Sequence, residues 1–204
     1  NGYFVIASGT AASGNITEGS VLDLSDRSAG DGANVLLNSA NGSASQQFSF
    51  EKADGDRNFP DSCFTAASTL DSGKVLDVSG AGRGNWTNIQ IWSSNNTNAQ
   101  KFILQYQGDG YYSMMNVNSW KAADVYGAGT ASGTNVQQYT ENHSAAQKWK
   151  FRYNSADGSY TIISALSPSL VLDVSGGATK DGTNVQIYSS NNSAAQKWKL
   201  LSVQ

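Results

Sequence analysis

Four aspartates stand in matching surroundings along this chain. Asp23, Asp77, Asp124 and Asp173 lie in the runs Val21-Leu22-Asp23-Leu24, Val75-Leu76-Asp77-Val78, Ala122-Ala123-Asp124-Val125 and Val171-Leu172-Asp173-Val174. Beyond a Gly-rich loop, three of them are followed by a glutamine with an aromatic two residues later, in Gln90-Ile91-Trp92, Gln137-Gln138-Tyr139 and Gln186-Ile187-Tyr188. A carboxylate and an amide can take adjacent hydroxyls, and an aromatic plate can cover a face of C–H groups. That is the set required to hold a sugar ring, with its polar rim and apolar face. In the first copy Leu36 and Asn38 stand where the glutamine and the aromatic belong, so no such site is expected there.

Each of these residues also has a structural reading. An aspartate at a strand end followed by Ser-Gly can accept backbone N–H bonds within its own turn. Trp92, Tyr139 and Tyr188 could be core aromatics, but strand alternation sets them opposite Ile91, Gln138 and Ile187, two of which are aliphatic residues with a claim on the inner face.

The elements that position these residues form a repeat. The Asp-bearing runs recur at intervals of about 50 residues, suited to a supersecondary unit of several strands. Each is followed by an Asn-led strand, beginning at Asn34, Asn88, Asn135 or Asn184, whose alternation marks it as β. An Asn/Ser loop then leads to Gln46-Gln47-Phe48, Gln100-Lys101-Phe102, Gln147-Lys148-Trp149 and Gln196-Lys197-Trp198. There the glutamine and the aromatic two residues on share one strand face, with the aromatic in a core. Each copy opens on an aromatic or β-branched strand, in Tyr3-Phe4-Val5-Ile6, Phe64-Thr65-Ala66-Ala67, Tyr111-Tyr112-Ser113-Met114-Met115 and Tyr160-Thr161-Ile162-Ile163. No segment keeps a 3.6-residue apolar period, so the expected fold is all-β with helix confined to single turns. Four short strands cannot bury their apolar face alone, and the copies must share a core by closing around an axis or by stacking.

Composition narrows the partners. The 204 residues carry a net charge of −3 with only 14% charged residues, and Lys and Arg are scattered, which leaves no electrostatic footprint for nucleic acid or an anionic membrane. No apolar stretch approaches the roughly 18 residues of a membrane span, and the chain begins directly in a strand-like run, as if processed or excised from a longer protein. Cys63, the only cysteine, excludes an internal disulfide and a Cys-rich zinc site and reads as a small packed residue. No cofactor or metal site is expected. Six Asn-x-Ser/Thr sequons, from Asn15 to Asn191, are within chance for so Asn/Ser-rich a chain.

The ordered succession Leu-Asp-Val, Val-Gln-x-aromatic and Gln-x-Trp resembles the ricin-B-type lectin repeat, particularly that of disulfide-free bacterial relatives ending in Ala-Gln-Lys-Trp. The resemblance covers nearly the whole chain; the set is complete in the second and fourth copies and nearly so in the third. It implies a β-trefoil, in which three four-stranded repeats close a six-stranded barrel capped by three hairpins. With four copies present, residues 56–204 are expected to form one trefoil from repeats 56–108, 109–156 and 157–204. Residues 1–55 are then an extra, degenerate repeat that packs in trans or enlarges the closure. Where the family often has cysteines, this chain has Val21, Val75, Ala122 and Val171, with Ser94 and Ser190 among the second positions. Stability must then come from burial of Phe48, Phe102, Trp149 and Trp198.

The resemblance also implies three sugar sites, formed by Asp77, Gln90 and Trp92, by Asp124, Gln137 and Tyr139, and by Asp173, Gln186 and Tyr188. The better-studied family sites carry an Asn immediately before the Gln of Gln-x-Trp, where this chain has Ser45, Ala99, Ala146 and Ala195. Asn96, Asn142 and Asn192 in the same loop are candidates to replace it. Losing one hydrogen bond of roughly 1 kcal/mol moves a shallow site toward millimolar affinity, so useful binding would be multivalent. The implied function is non-catalytic binding of galactose- or xylose-class glycans, as a module of a larger extracellular or cell-surface protein. The rival reading is a sugar-blind structural or protein-docking trefoil. Catalysis fits poorly: His143 is a lone histidine in a variable loop, and carboxylates on separate lobes lie beyond the roughly 5 to 10 Å that a glycosidase pair requires.

Overall fold

The computed structural model describes residues 20–25, 33–48 and 63–203, and the chain separates into two units, Asn1–Arg57 and Asn58–Gln204. In the first unit β1 (Ser20–Leu24) pairs antiparallel with β2 (Val35–Ser39), placing Asp23 across from Leu36 and Val21 across from Asn38. A single 3-10 turn, Ala44–Gln46, follows. The first copy's opening strand, Tyr3-Phe4-Val5-Ile6, lies outside the described residues, as does the expected boundary at 55 and 56.

The second unit holds three sets of four strands. The first set is β3 (Phe64–Ser68), β4 (Lys74–Val78), β5 (Ile89–Ser93) and β6 (Phe102–Tyr106). The next is β7 (Tyr112–Asn116), β8 (Ala122–Val125), β9 (Thr134–Tyr139) and β10 (Trp149–Asn154). The last is β11 (Ser159–Ser164), β12 (Leu170–Val174), β13 (Thr183–Ser189) and β14 (Trp198–Ser202). The outer strands of each set close a ring: β3 pairs β6, β6 pairs β7, β7 pairs β10, β10 pairs β11, β11 pairs β14, and β14 returns to β3. A closed ring has no exposed edge. The inner strands form hairpins β4–β5, β8–β9 and β12–β13, which meet one another through Asn184 opposite Gln90, Asn88 opposite Gln137, and Asn135 opposite Gln186. The leading asparagines of the sequence pattern therefore sit where the hairpins converge; Asn88 Nδ2 donates to Asn184 Oδ1 at 2.9 Å. Six barrel strands capped by three hairpins is the β-trefoil arrangement.

One core serves all three sets. Phe102, Trp149 and Trp198 open the fourth strand of each set and are fully buried, each contributing on the order of 2 to 3 kcal/mol. The indoles of Trp149 and Trp198 donate to the carbonyls of Ala123 and Leu172, so neither leaves a polar atom stranded. Ile89, Val136 and Val185 fill equivalent inner positions, as do Ile91 and Ile187. The third member of the last group is Gln138, buried where the others are isoleucine. Its amide donates to the carbonyls of Gly82 and Gly84 and accepts from Ser119, which makes its burial tolerable.

The glutamine of each Gln-x-aromatic motif is buried and holds its loop. Gln100, Gln147 and Gln196 accept from the backbone N–H of Asn95, Asn142 and Asn191, and donate to the carbonyls of Ser93, Thr140 and Ser189. Gln46 does the same with Asn41 and Ser39 in the first unit. Among the described residues helix is confined to single 3-10 turns.

Candidate ligand-binding sites

The hairpins place the recurring aspartate and glutamine side by side. Asp77 lies across from Gln90, Asp124 from Gln137 and Asp173 from Gln186, while Trp92, Tyr139 and Tyr188 sit two residues further along the same face. In each site the glutamine Nε2 donates to the aspartate Oδ1, at 3.0, 3.2 and 2.9 Å respectively. Alternation turns Ile91 and Ile187 into the core and leaves Trp92 and Tyr188 each 40% exposed, with Tyr139 half-buried. The core reading of these aromatics therefore fails; each is a plate at the rim of its site.

The aspartates are not turn acceptors. Their second oxygens accept a hydrogen bond from the other buried glutamine, Gln147 Nε2 to Asp124 Oδ2 and Gln196 Nε2 to Asp173 Oδ2, both at 3.1 Å. Gln46 reaches Asp23 in the same way, so this bond is part of the repeat's architecture even where no site is expected. Burial pushes the Asp77 and Asp124 carboxyls above the usual carboxylate range, and the two glutamine amides beside each oppose that shift. The amides orient each carboxylate and leave its remaining lone pairs to accept from a ligand hydroxyl.

Clefts are present at two of the sites. One of about 350 Å³ is lined by Asp77, Gln90 and Trp92 together with Ser79, Gly80, Ala81, Asn95, Thr97 and Ala99. The other, about 380 Å³, brings Asp173, Gln186 and Tyr188 together with Leu70, Gly176, Gly177 and Asn191. Both are at the small end of ligand pockets, a size for a small polar ligand rather than a long chain.

The loop asparagines separate into two kinds. Asn142 corresponds to Asn95 and Asn191: each accepts from the backbone N–H two residues on, and its own N–H donates to the buried glutamine. Asn96 and Asn192 correspond instead to His143, all three at left-handed φ of 58 to 60°, and neither asparagine lines its cleft. The cleft-lining asparagines are Asn95 and Asn191, one position away from two of the expected residues. Their Asx-turn pattern, Asn-x-Ser/Thr, was visible in the sequence.

Each site is also bordered by the loop of a neighbouring repeat, which a reading of one repeat at a time misses. Asp181, from the β12–β13 loop, accepts from the Ser93 N–H and pairs with Lys74 at 2.7 Å, beside the Asp77 site. The equivalent loops bring Ser132 to the Ser189 N–H and Asn85 to the Thr140 N–H. The next residue in each loop is Gly182, Gly133 or Trp86, and its N–H donates to the carbonyl of Ile91, Ile187 or Gln138. All three have positive φ, 85°, 92° and 64°. Glycine adopts this freely; a tryptophan there costs about 1–2 kcal/mol. The Trp86 ring meets Tyr139 edge-to-face, with centroids 5.6 Å apart. Tyr126 opens the 3-10 turn after Asp124, the place Ser79 holds in the Asp77 cleft.

Comparison with known proteins agrees with this architecture. The family model described as ricin-type beta-trefoil lectin domain-like matches residues 58–139 and 145–204. The chain belongs to that family. Among solved structures it is similar to the designed three-fold symmetric protein ThreeFoil, at 32% identity and a TM-score of 0.66, over 69% of this chain and 99% of that one. It is similar also to 1,3Gal43A, an exo-beta-1,3-galactanase from Clostridium thermocellum, at 28% identity and TM-score 0.67, over 91% of this chain but only 38% of the enzyme. The Rhizoctonia solani agglutinin, 24% identical with a TM-score of 0.65, covers 73% of this chain over its whole length and supports the fold. No curated protein sequence matches the chain.

Proposed function

We propose that this chain is a non-catalytic carbohydrate-binding module with three weak sites that act together. The observation that carries the reading is the threefold recurrence of a carboxylate fixed by a glutamine amide next to an outward-facing aromatic ring. Oriented acceptors take vicinal hydroxyls, and the ring covers the C–H face. The partner is a glycan of the galactose or xylose class, and the likeness to part of a galactanase supports galactose and an appended role in a larger extracellular protein of bacterial type. Millimolar single-site affinity, about −4 kcal/mol, makes avidity across the three sites the working mode. The exposed Val35, Leu36 and Leu37 of β2 support self-association through the first repeat.

The rival, a sugar-blind docking module, is separated by a glycan-array screen of a multimerised chain beside Trp92→Ala/Tyr139→Ala/Tyr188→Ala. The rings are the right target because each aspartate also anchors a buried glutamine, so Asp→Ala would test folding and binding at once. Binding that the folded triple variant loses by about tenfold or more supports the lectin reading. Binding indifferent to the three rings, or to no glycan at all, moves the assignment to the docking module.

A further inference from the structure

We infer that the site of the third repeat, at Asp124, is an oligosaccharide site, in which Trp86 from the second repeat stacks the sugar ring adjoining the one held on Tyr139. The sites at Asp77 and Asp173 hold a single ring. This deepens the carbohydrate reading and rests on it.

The position of Trp86 borders the ligand-facing groups of every site. A Cβ at Gly182 would lie 3.8 Å from Trp92 Cζ3 and 3.9 Å from Gln90 Oε1, and one at Gly133 would lie 3.9 Å from Gln186 Oε1. A side chain there stands over the floor of the neighbouring repeat's site. Only the second repeat supplies one, and it is the largest available. Fold stability does not account for the choice: Trp86 is 65% exposed and held at a φ that the other repeats reserve for glycine. What the indole does provide is a second aromatic plane, inclined at 63° to Tyr139. Two inclined planes match two rings joined by a glycosidic bond, each with its own C–H face to cover. Tyr126, 59% exposed where the Asp77 cleft has Ser79, adds apolar surface on the border of the same site.

The test is a titration of the isotopically labelled chain with D-galactose, β-1,3-galactobiose, D-xylose and β-1,4-xylobiose, following the Gln137 amide for the third repeat's site and the Gln90 amide for the second repeat's. At least one disaccharide is expected to bind the third repeat's site about tenfold more tightly than its monosaccharide, and no such gap is expected at the second repeat's. Trp86→Gly, which installs the residue the other repeats carry, should erase the gap, bringing each disaccharide to within about twofold of its monosaccharide at Gln137. Gly182→Trp should create it at Gln90. A third-repeat site indifferent to chain length, or a preference that survives Trp86→Gly, overturns the inference alone. If none of the four sugars moves either amide, the carbohydrate reading falls and the inference falls with it.

Discussion

At the scale of single residues, the buried glutamines carry more than their motif suggests. Gln196 is 1% exposed and serves three partners: it accepts from Asn191 N–H and donates to the Ser189 carbonyl and to Asp173 Oδ2. Truncating it removes three hydrogen bonds at once, including one of the two amides that hold the buried Asp173 carboxylate. Gln196→Ala is therefore expected to destabilise the protein by about 3 kcal/mol in urea unfolding, well above an ordinary surface change. The same bond couples site to scaffold, so ligand affinity at the Asp173 site should fall with it. The aromatic rings behave in the opposite way: Trp92 and Tyr188 lie outside the core, and their replacement should cost little stability.

Between elements, ion pairs pin loops against neighbouring strands. Asp157, in the turn between β10 and β11, accepts from Lys197 Nζ at 2.7 Å, just ahead of β14, and from Ser159. The hydrogen bond from Lys197, with help from Ser159, holds its carboxyl down at about 2, below its ordinary value of 3.8. The folded form thus binds this proton less tightly than the unfolded form. Its contribution is present above pH 3.8 and is lost as pH falls through about 2. Asp157→Asn should flatten the acid limb between those values in urea midpoints measured stepwise from pH 5 to 2. Asp77 and Asp124 act with the opposite sign: their raised carboxyls favour the folded state at low pH, and that contribution declines as pH rises through them.

For the molecule as a whole, closure is the decisive feature. The ring from β3 to β14 is complete within residues 64–202, and its last contact pairs β14 with β3 over five residues, Trp198 with Ser68 through Ser202 with Phe64. A fragment beginning at Asn58 already contains every barrel strand and all three hairpins. It is expected to unfold cooperatively as a monomer, with a thermal midpoint matching the main transition of the full chain in calorimetry. A fragment that fails to fold would show that the first unit supplies something the barrel lacks.

Much of this was legible in the sequence because it is written in local periodicity. Alternation along single strands put Gln90 and Trp92 on one face and Ile91 on the other, and the i, i+2 step in Gln-x-Trp put Trp149 and Trp198 in the core. The ordered repeat motifs carried the family. The separation of Asn95 and Asn191 from Asn96 and Asn192 was less legible, since adjacent residues in a loop have no period to distinguish them and only the backbone φ does so. The borders of the sites were out of reach, because Asp181, Trp86 and Gly133 reach their sites from a different repeat. The sequence by itself determined the strands, the faces they present and the groups available to a ligand. Only the tertiary structure decided which repeats share a site, because ring closure brings each hairpin loop against its neighbour's strand, a juxtaposition that no spacing along the chain encodes.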